Sequence, residues 1–94
     1  MATGSAKYKA EGGTIHVSVE EEDDRIKDIK IAIDFEILPE DAIHHIEQAL
    51  IYSKTKGREM LTHLKMEFSR LKIKSPGVTS VDFEQAIKLA LDET

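Results

Sequence analysis

The sequence predicts an α+β fold of two layers: a small antiparallel β-sheet, a hairpin or three strands, with three helices packed on one face. Three observations carry this expectation. Two early stretches alternate apolar and polar residues, later stretches repeat apolar residues at helical spacing, and all strands precede all helices. A length of 94 residues allows one domain with one modest core.

Residues 1–6 (MATGSA) are small and polar and are expected to form a flexible tail, leaving residues 7–94 as a single domain. Tyr8 to Ala10 adds a short edge strand before Gly12-Gly13, where glycine's access to positive φ suits a tight turn or bulge. From Thr14 to Glu20, Ile15, Val17 and Val19 share one face while His16 and Ser18 share the other. The alternation resumes over Arg25 to Phe35, with Ile29, Ile31, Ile33 and Phe35 opposite Lys30, Ala32 and Asp34. These runs read as an antiparallel hairpin whose tip is the acidic stretch between them.

After Leu38-Pro39 the period changes. Pro39 suits a helix start, with Glu40 and Asp41 in a first turn that favours anions. Ala42, Ile43, Ile46, Ala49 and Leu50 then form one stripe, and Ser53 to Gly57 reads as a linker. Met60, Leu61, Leu64, Phe68 and Leu71 mark a second helix, which Ser75-Pro76-Gly77 ends. Thr79 is positioned as an N-cap with Asp82 three residues on, and Phe83, Ala86, Ile87, Ala90 and Leu91 complete a third helix.

Composition narrows the function. There is no cysteine, which removes disulfides, thiolate zinc sites and cysteine-held iron–sulfur clusters. No apolar run is long enough to span a membrane and no export signal stands at the start, so a soluble, cytoplasmic protein is expected, with no membrane association. The formal net charge of −5 argues against nucleic acid as a partner. That charge has one origin. Glu20, Glu21, Glu22, Asp23 and Asp24 are consecutive acids, and the other acids balance the bases.

The acidic run lacks the alternating oxygen ligands and central glycine of a calcium loop. It reads either as a solvated hairpin tip or as a docking point for a basic surface. The segment from Lys54 to Lys74 is its counterpart, with seven bases against Glu59 and Glu67. No stacking aromatics interleave with these bases, so a solvated helix face and a surface for an acidic partner both remain open. Glu20, Glu21, Glu22, Asp23, Asp24, Lys54, Lys56 and Arg58 are therefore candidate partner-docking residues, on a molecule expected to be dipolar. His44 and His45 are adjacent and point about 100° apart on a helix, and no histidine spacing puts two ligands on one face. No metal site, no catalytic residue and no cofactor bound by this chain alone is expected. A phosphate-binding glycine loop and a nucleophile elbow are absent from the sequence.

Lys9-Ala10-Glu11-Gly12-Gly13-Thr14-Ile15-His16-Val17-Ser18-Val19, followed by Asp24 to Ile31, then Asp34-Phe35 and Pro39, resembles the C-terminal accessory domain of lipoate–protein ligases. Pro76-Gly77-Val78-Thr79, Asp82-Phe83 and Ala86-Ile87 continue the resemblance, which covers roughly residues 7–91. Where the family usually has Gly-Asp-Phe, this chain has Ile33-Asp34-Phe35. In that family the unit is either fused behind the catalytic domain or made separately, and this chain resembles the separate small subunit of a bipartite ligase. The resemblance implies a fold similar to iron–sulfur scaffold proteins. It also implies a heterodimer with a large subunit that holds the catalytic lysine, and ATP, Mg and lipoate for the complex. The role implied is to help activate lipoate to lipoyl-AMP before transfer to a lysine of an acceptor domain. A stand-alone interaction module, an adaptor unrelated to lipoylation, is the alternative.

Overall fold

The computed structural model describes residues 2–93. Alternation in the two hydrophobic runs gives a three-stranded antiparallel sheet of order β1-β2-β3, with β1 at Ala2–Ala10, β2 at Gly13–Glu22 and β3 at Arg25–Ile33. Three helices follow: α1 at Ala42–Leu50, α2 at Glu59–Arg70 and α3 at Ser80–Asp92. α1 lies against β3, α3 lies against β1 and β2, and α2 packs on both helices. Ile15, Val17, Val19, Ile29 and Ile31 face the helices, where they meet Ile46, Leu50, Met60, Leu64, Phe83 and Ile87. The other sheet face carries His16, Ser18, Lys30 and Ala32, all exposed. The expected α+β layering is present.

Four local expectations are corrected. Ala2 to Ala6 are not a tail but the first half of β1, paired with Glu21 through Val17; Met1 lies outside the described residues. The edge strand therefore begins at Ala2 rather than Tyr8. Its side chains there are small, so backbone pairing holds the segment and leaves no hydrophobic pattern to read. Second, β2 runs through Glu22, so the tip is only Asp23-Asp24, both left-handed at φ 53° and 59°. Two central residues at positive φ close a two-residue hairpin whose twist matches its strands.

Third, helix α1 begins at Ala42, not at Pro39. Leu38 exchanges both backbone hydrogen bonds with Lys74 (2.9 and 2.8 Å), which holds the chain extended up to the Leu38-Pro39 cis peptide. Asp41 sits at the N-cap position but turns its carboxylate to His45, 3.0 Å away. Fourth, Ser53 to Gly57 is no free linker: Ser53 and Thr55 are buried.

A fifth feature was invisible in the alternation. Glu20 pairs with Asp28 and Glu21 with Ile26, so Lys27 is an extra residue on β3. That bulge turns Ile26 onto the same inner face as Ile29, three residues on, and Ile26 is fully buried. At the other end, α3 opens as expected: the Thr79 N–H donates to the Asp82 carboxylate at 2.8 Å. Phe68 of α2 meets Phe83 of α3 edge to face, with ring centroids 5.8 Å apart.

Candidate functional site

Parts of the two candidate docking stretches meet at one end of the sheet, where Glu21 and Asp24 lie against Thr55 and Lys56. The segment after α1 turns back along the start of β3. Ile26 N–H donates to Ser53 O (2.9 Å), Tyr52 N–H donates to Ile26 O (2.7 Å), and Thr55 N–H donates to Asp24 O (2.9 Å). Side chains follow the backbone. The Thr55 hydroxyl donates to the Glu21 carboxylate, Lys56 Nζ lies 3.4 Å from Asp24 Oδ1, and Lys27 Nζ lies 3.2 Å from Glu22 Oε2. Glu22 beside it raises the Lys27 ammonium above its ordinary value.

Lys56 pairs with Asp24, and Lys54 lines the same depression as Asp23 and Asp24, so the first part of the basic segment sits beside the acidic tip. The two runs are about thirty residues apart in sequence, and nothing in their composition says which way the connecting segment folds. Arg58 stands just before α2, where its carbonyl accepts the Thr62 N–H. The Asp23 carboxylate, at the apex, has no ion pair among the described residues.

Glu59 ties the segment to α2. Its carboxylate accepts the Lys54 N–H at 2.8 Å, and this bond is the main cause of a carboxyl held below its ordinary 4.5. A depressed carboxyl contributes its stability in full above the unfolded value and loses it as pH falls through the lower native value. The thermal midpoint of wild type should therefore exceed that of Glu59→Gln near neutrality, with the gap closing as pH drops below 4.5. Parallel melting curves across that pH range would check it; a gap that persists in acid would contradict the assignment.

The outer sheet face is a second surface. Cross-strand rows run Lys7–His16–Ala32, Ser5–Ser18–Lys30 and Thr3–Glu20–Asp28, basic toward one end and acidic toward the other. The two edges of the sheet differ. β3 is closed by Tyr52, by Ser53 and by Glu47 of α1, whose carboxylate accepts the Ile31 N–H at 2.7 Å. β1 has no such cover among the described residues. Lys7 and Lys9, exposed on that strand, are charges of the kind that discourage addition of another strand. Elsewhere His63 lies 3.7 Å from Glu59, and His44 stacks edge-on with His45.

Gly12, Gly13, Thr14, Asp34, Pro76 and Gly77, part of the set that carries the family resemblance, gather at the opposite end of β2. Gly12 N–H donates to Gly77 O at 2.9 Å, and Thr14 N–H donates to Asp34 Oδ1 at 2.8 Å. A Cβ on Gly12 would lie 2.0 Å from the Pro76 carbonyl oxygen, and one on Gly13 would lie 2.5 Å from the Phe35 ring. Both glycines thus admit neighbours rather than serving only a turn, and Gly13 also has a φ of 152°. The motif residues lock the sheet to the start of α3. Their geometry is architectural.

Comparison with known proteins is consistent with that architecture. No family model matches the chain. Lipoate-protein ligase A subunit 2 of Thermoplasma acidophilum is 35% identical over 85 residues, which is 90% of this chain and 87% of that protein. A chain from the solved archaeal lipoylation system of Thermoplasma acidophilum, a bipartite lipoate protein ligase and its E2 lipoyl domain, shares the fold. The match has a TM-score of 0.84 at 32% identity and covers 92% of this chain and 94% of that one.

Proposed function

The chain belongs to the lipoate–protein ligase A subunit 2 family, and from that membership we propose that it is the non-catalytic small subunit of a bipartite ligase. It associates with a large catalytic subunit in the cytoplasm and is needed for that subunit to activate lipoate. In the activation step the lipoate carboxylate displaces pyrophosphate from ATP, with Mg, to give lipoyl-AMP. The acceptor lysine amine then attacks the lipoyl carbonyl carbon, AMP leaves, and the amine gives up a proton. The observation that carries this reading is the match in sequence and fold over nine-tenths of the chain.

A physical role for a small subunit follows from the chemistry. Lipoyl-AMP is a mixed anhydride that water destroys, and docking a rigid domain beside the active site excludes water and orders nearby loops. The sheet and helices of this chain supply that rigidity, and its surface supplies the docking. ATP, Mg and lipoate then belong to the complex, and no side chain of this chain is assigned to them. The proposal is tested with the purified large subunit from the same organism. The two chains should co-elute as a 1:1 complex that attaches lipoate to an acceptor domain, scored by the mass of the product. Lack of association, with a different stable partner recovered instead, would favour an adaptor unrelated to lipoylation.

A further inference from the structure

Tyr52 is the residue that folding alone does not account for. It follows α1 and adopts a left-handed backbone at φ 67°, a region that L side chains other than asparagine and aspartate rarely occupy. The backbone explains the conformation: its N–H reaches Ile26 O at 2.7 Å and its carbonyl accepts from the Arg25 guanidinium at 2.9 Å. The ring is not part of the core. It is 72% exposed, more than Leu38, Met66, Val81 or Leu89, the other large apolar side chains on the surface. Glycine or asparagine would make the same backbone bonds at lower strain, so the backbone does not call for an aromatic side chain here.

Glu22, Asp23, Arg25, Ile26 and Lys27 line a shallow depression with Tyr52, open to solvent. Tyrosine and arginine are the residue types that dominate binding energy at protein interfaces, as apolar anchors with a polar tip. Asp23 beside them has no ion pair among the described residues. We propose that this end of the domain is the docking surface for the large ligase subunit. Tyr52 is the anchor that enters an apolar slot, and the unpaired Asp23 meets a basic residue on the slot's rim. The inference rests on the function proposed above and deepens it, because it names which surface is used.

The test is calorimetric titration of the large subunit with wild type, Tyr52→Asn, Asp23→Lys and Met66→Ala, with melting curves for each isolated protein. Tyr52→Asn should bind about 30-fold more weakly or worse, the loss typical of a removed anchor. Its own melting midpoint should stay equal or rise, since asparagine tolerates the left-handed backbone. That opposite pair of shifts is not what a residue serving only the fold would give. Asp23→Lys should slow association and flatten its salt dependence. Met66→Ala, an exposed apolar residue on α2, should bind as wild type does. Full affinity in Tyr52→Asn, or an equal loss in Met66→Ala, would overturn the docking assignment while leaving the subunit reading intact. Absence of binding by wild type would overturn both.

Discussion

Gly12→Ala is expected to lower stability by about 3 kcal/mol, toward the upper end for overpacking a closed site. The added Cβ would stand 2.0 Å from the Pro76 carbonyl oxygen, and backbone atoms of Gly77 lie 3.1 Å away. No flexible side chain can move aside, so one of the two loops must shift. That shift breaks the 2.9 Å bond from Gly12 N–H to Gly77 O, which fastens the β1–β2 turn to the start of α3. Gly57→Ala provides the contrast. Gly57 has φ 80° but nothing within 4 Å, so only the left-handed penalty of about 1 kcal/mol applies. In a domain of this size each kcal/mol moves the melting midpoint by about 4–8 °C. Melting curves should therefore separate the two glycines clearly, and equal shifts would mean that backbone conformation, not close approach, governs both.

Phe83→Ala should cost about 4 kcal/mol, in the range for removing a fully buried aromatic ring. Phe83 has no exposed surface and lies where the sheet, α2 and α3 meet, with the Phe68 ring against its edge. Native stability of a small domain is only about 5–15 kcal/mol, so this variant should be partly unfolded at ordinary temperature. Phe68 is only half-buried and its alanine variant should lose less. The double mutant should recover about 0.5–1.5 kcal/mol of coupling, the range for an edge-to-face pair. Urea unfolding of the four proteins of this cycle measures it. Additive losses would show that the rings fill volume without specific contact.

Much of the fold could be read from the residues, and the failures have definite causes. Ile15, Val17 and Val19 alternate because one sheet face is buried, and Thr79 with Asp82 announces α3 because a helix start needs acceptors for its free N–H groups. Ile26 was hidden because the Lys27 bulge shifts the strand's period by one. The N-terminal half of β1 was hidden because Ala2 to Ala6 are small and pair through backbone. Ser53 and Thr55 look like linker residues, yet their burial comes from hydrogen bonds to a strand far away in sequence.

The site was legible only in pieces. The acidic run and Lys54, Lys56 and Arg58 stand out as charges, but their composition does not say that the tip and Lys54 to Lys56 lie together. Tyr52 gave no signal, because a left-handed backbone at a non-glycine position has no sequence signature. The glycines were legible as glycines, while the reason for Gly12, an approach by residues 76 and 77, is a tertiary fact. The glycine-containing motifs close one end of β2, and the exposed Tyr52 lies at the other, beside Arg25, Ile26 and Lys27, which also belong to the family resemblance.

Lipoate-dependent pyrophosphate release by the purified large subunit, titrated with this protein, reads out whether the small subunit is needed for activation. Little release is expected from the large subunit alone, with a rise that saturates at one small subunit per large subunit. Release that is equally fast with and without this protein would contradict it.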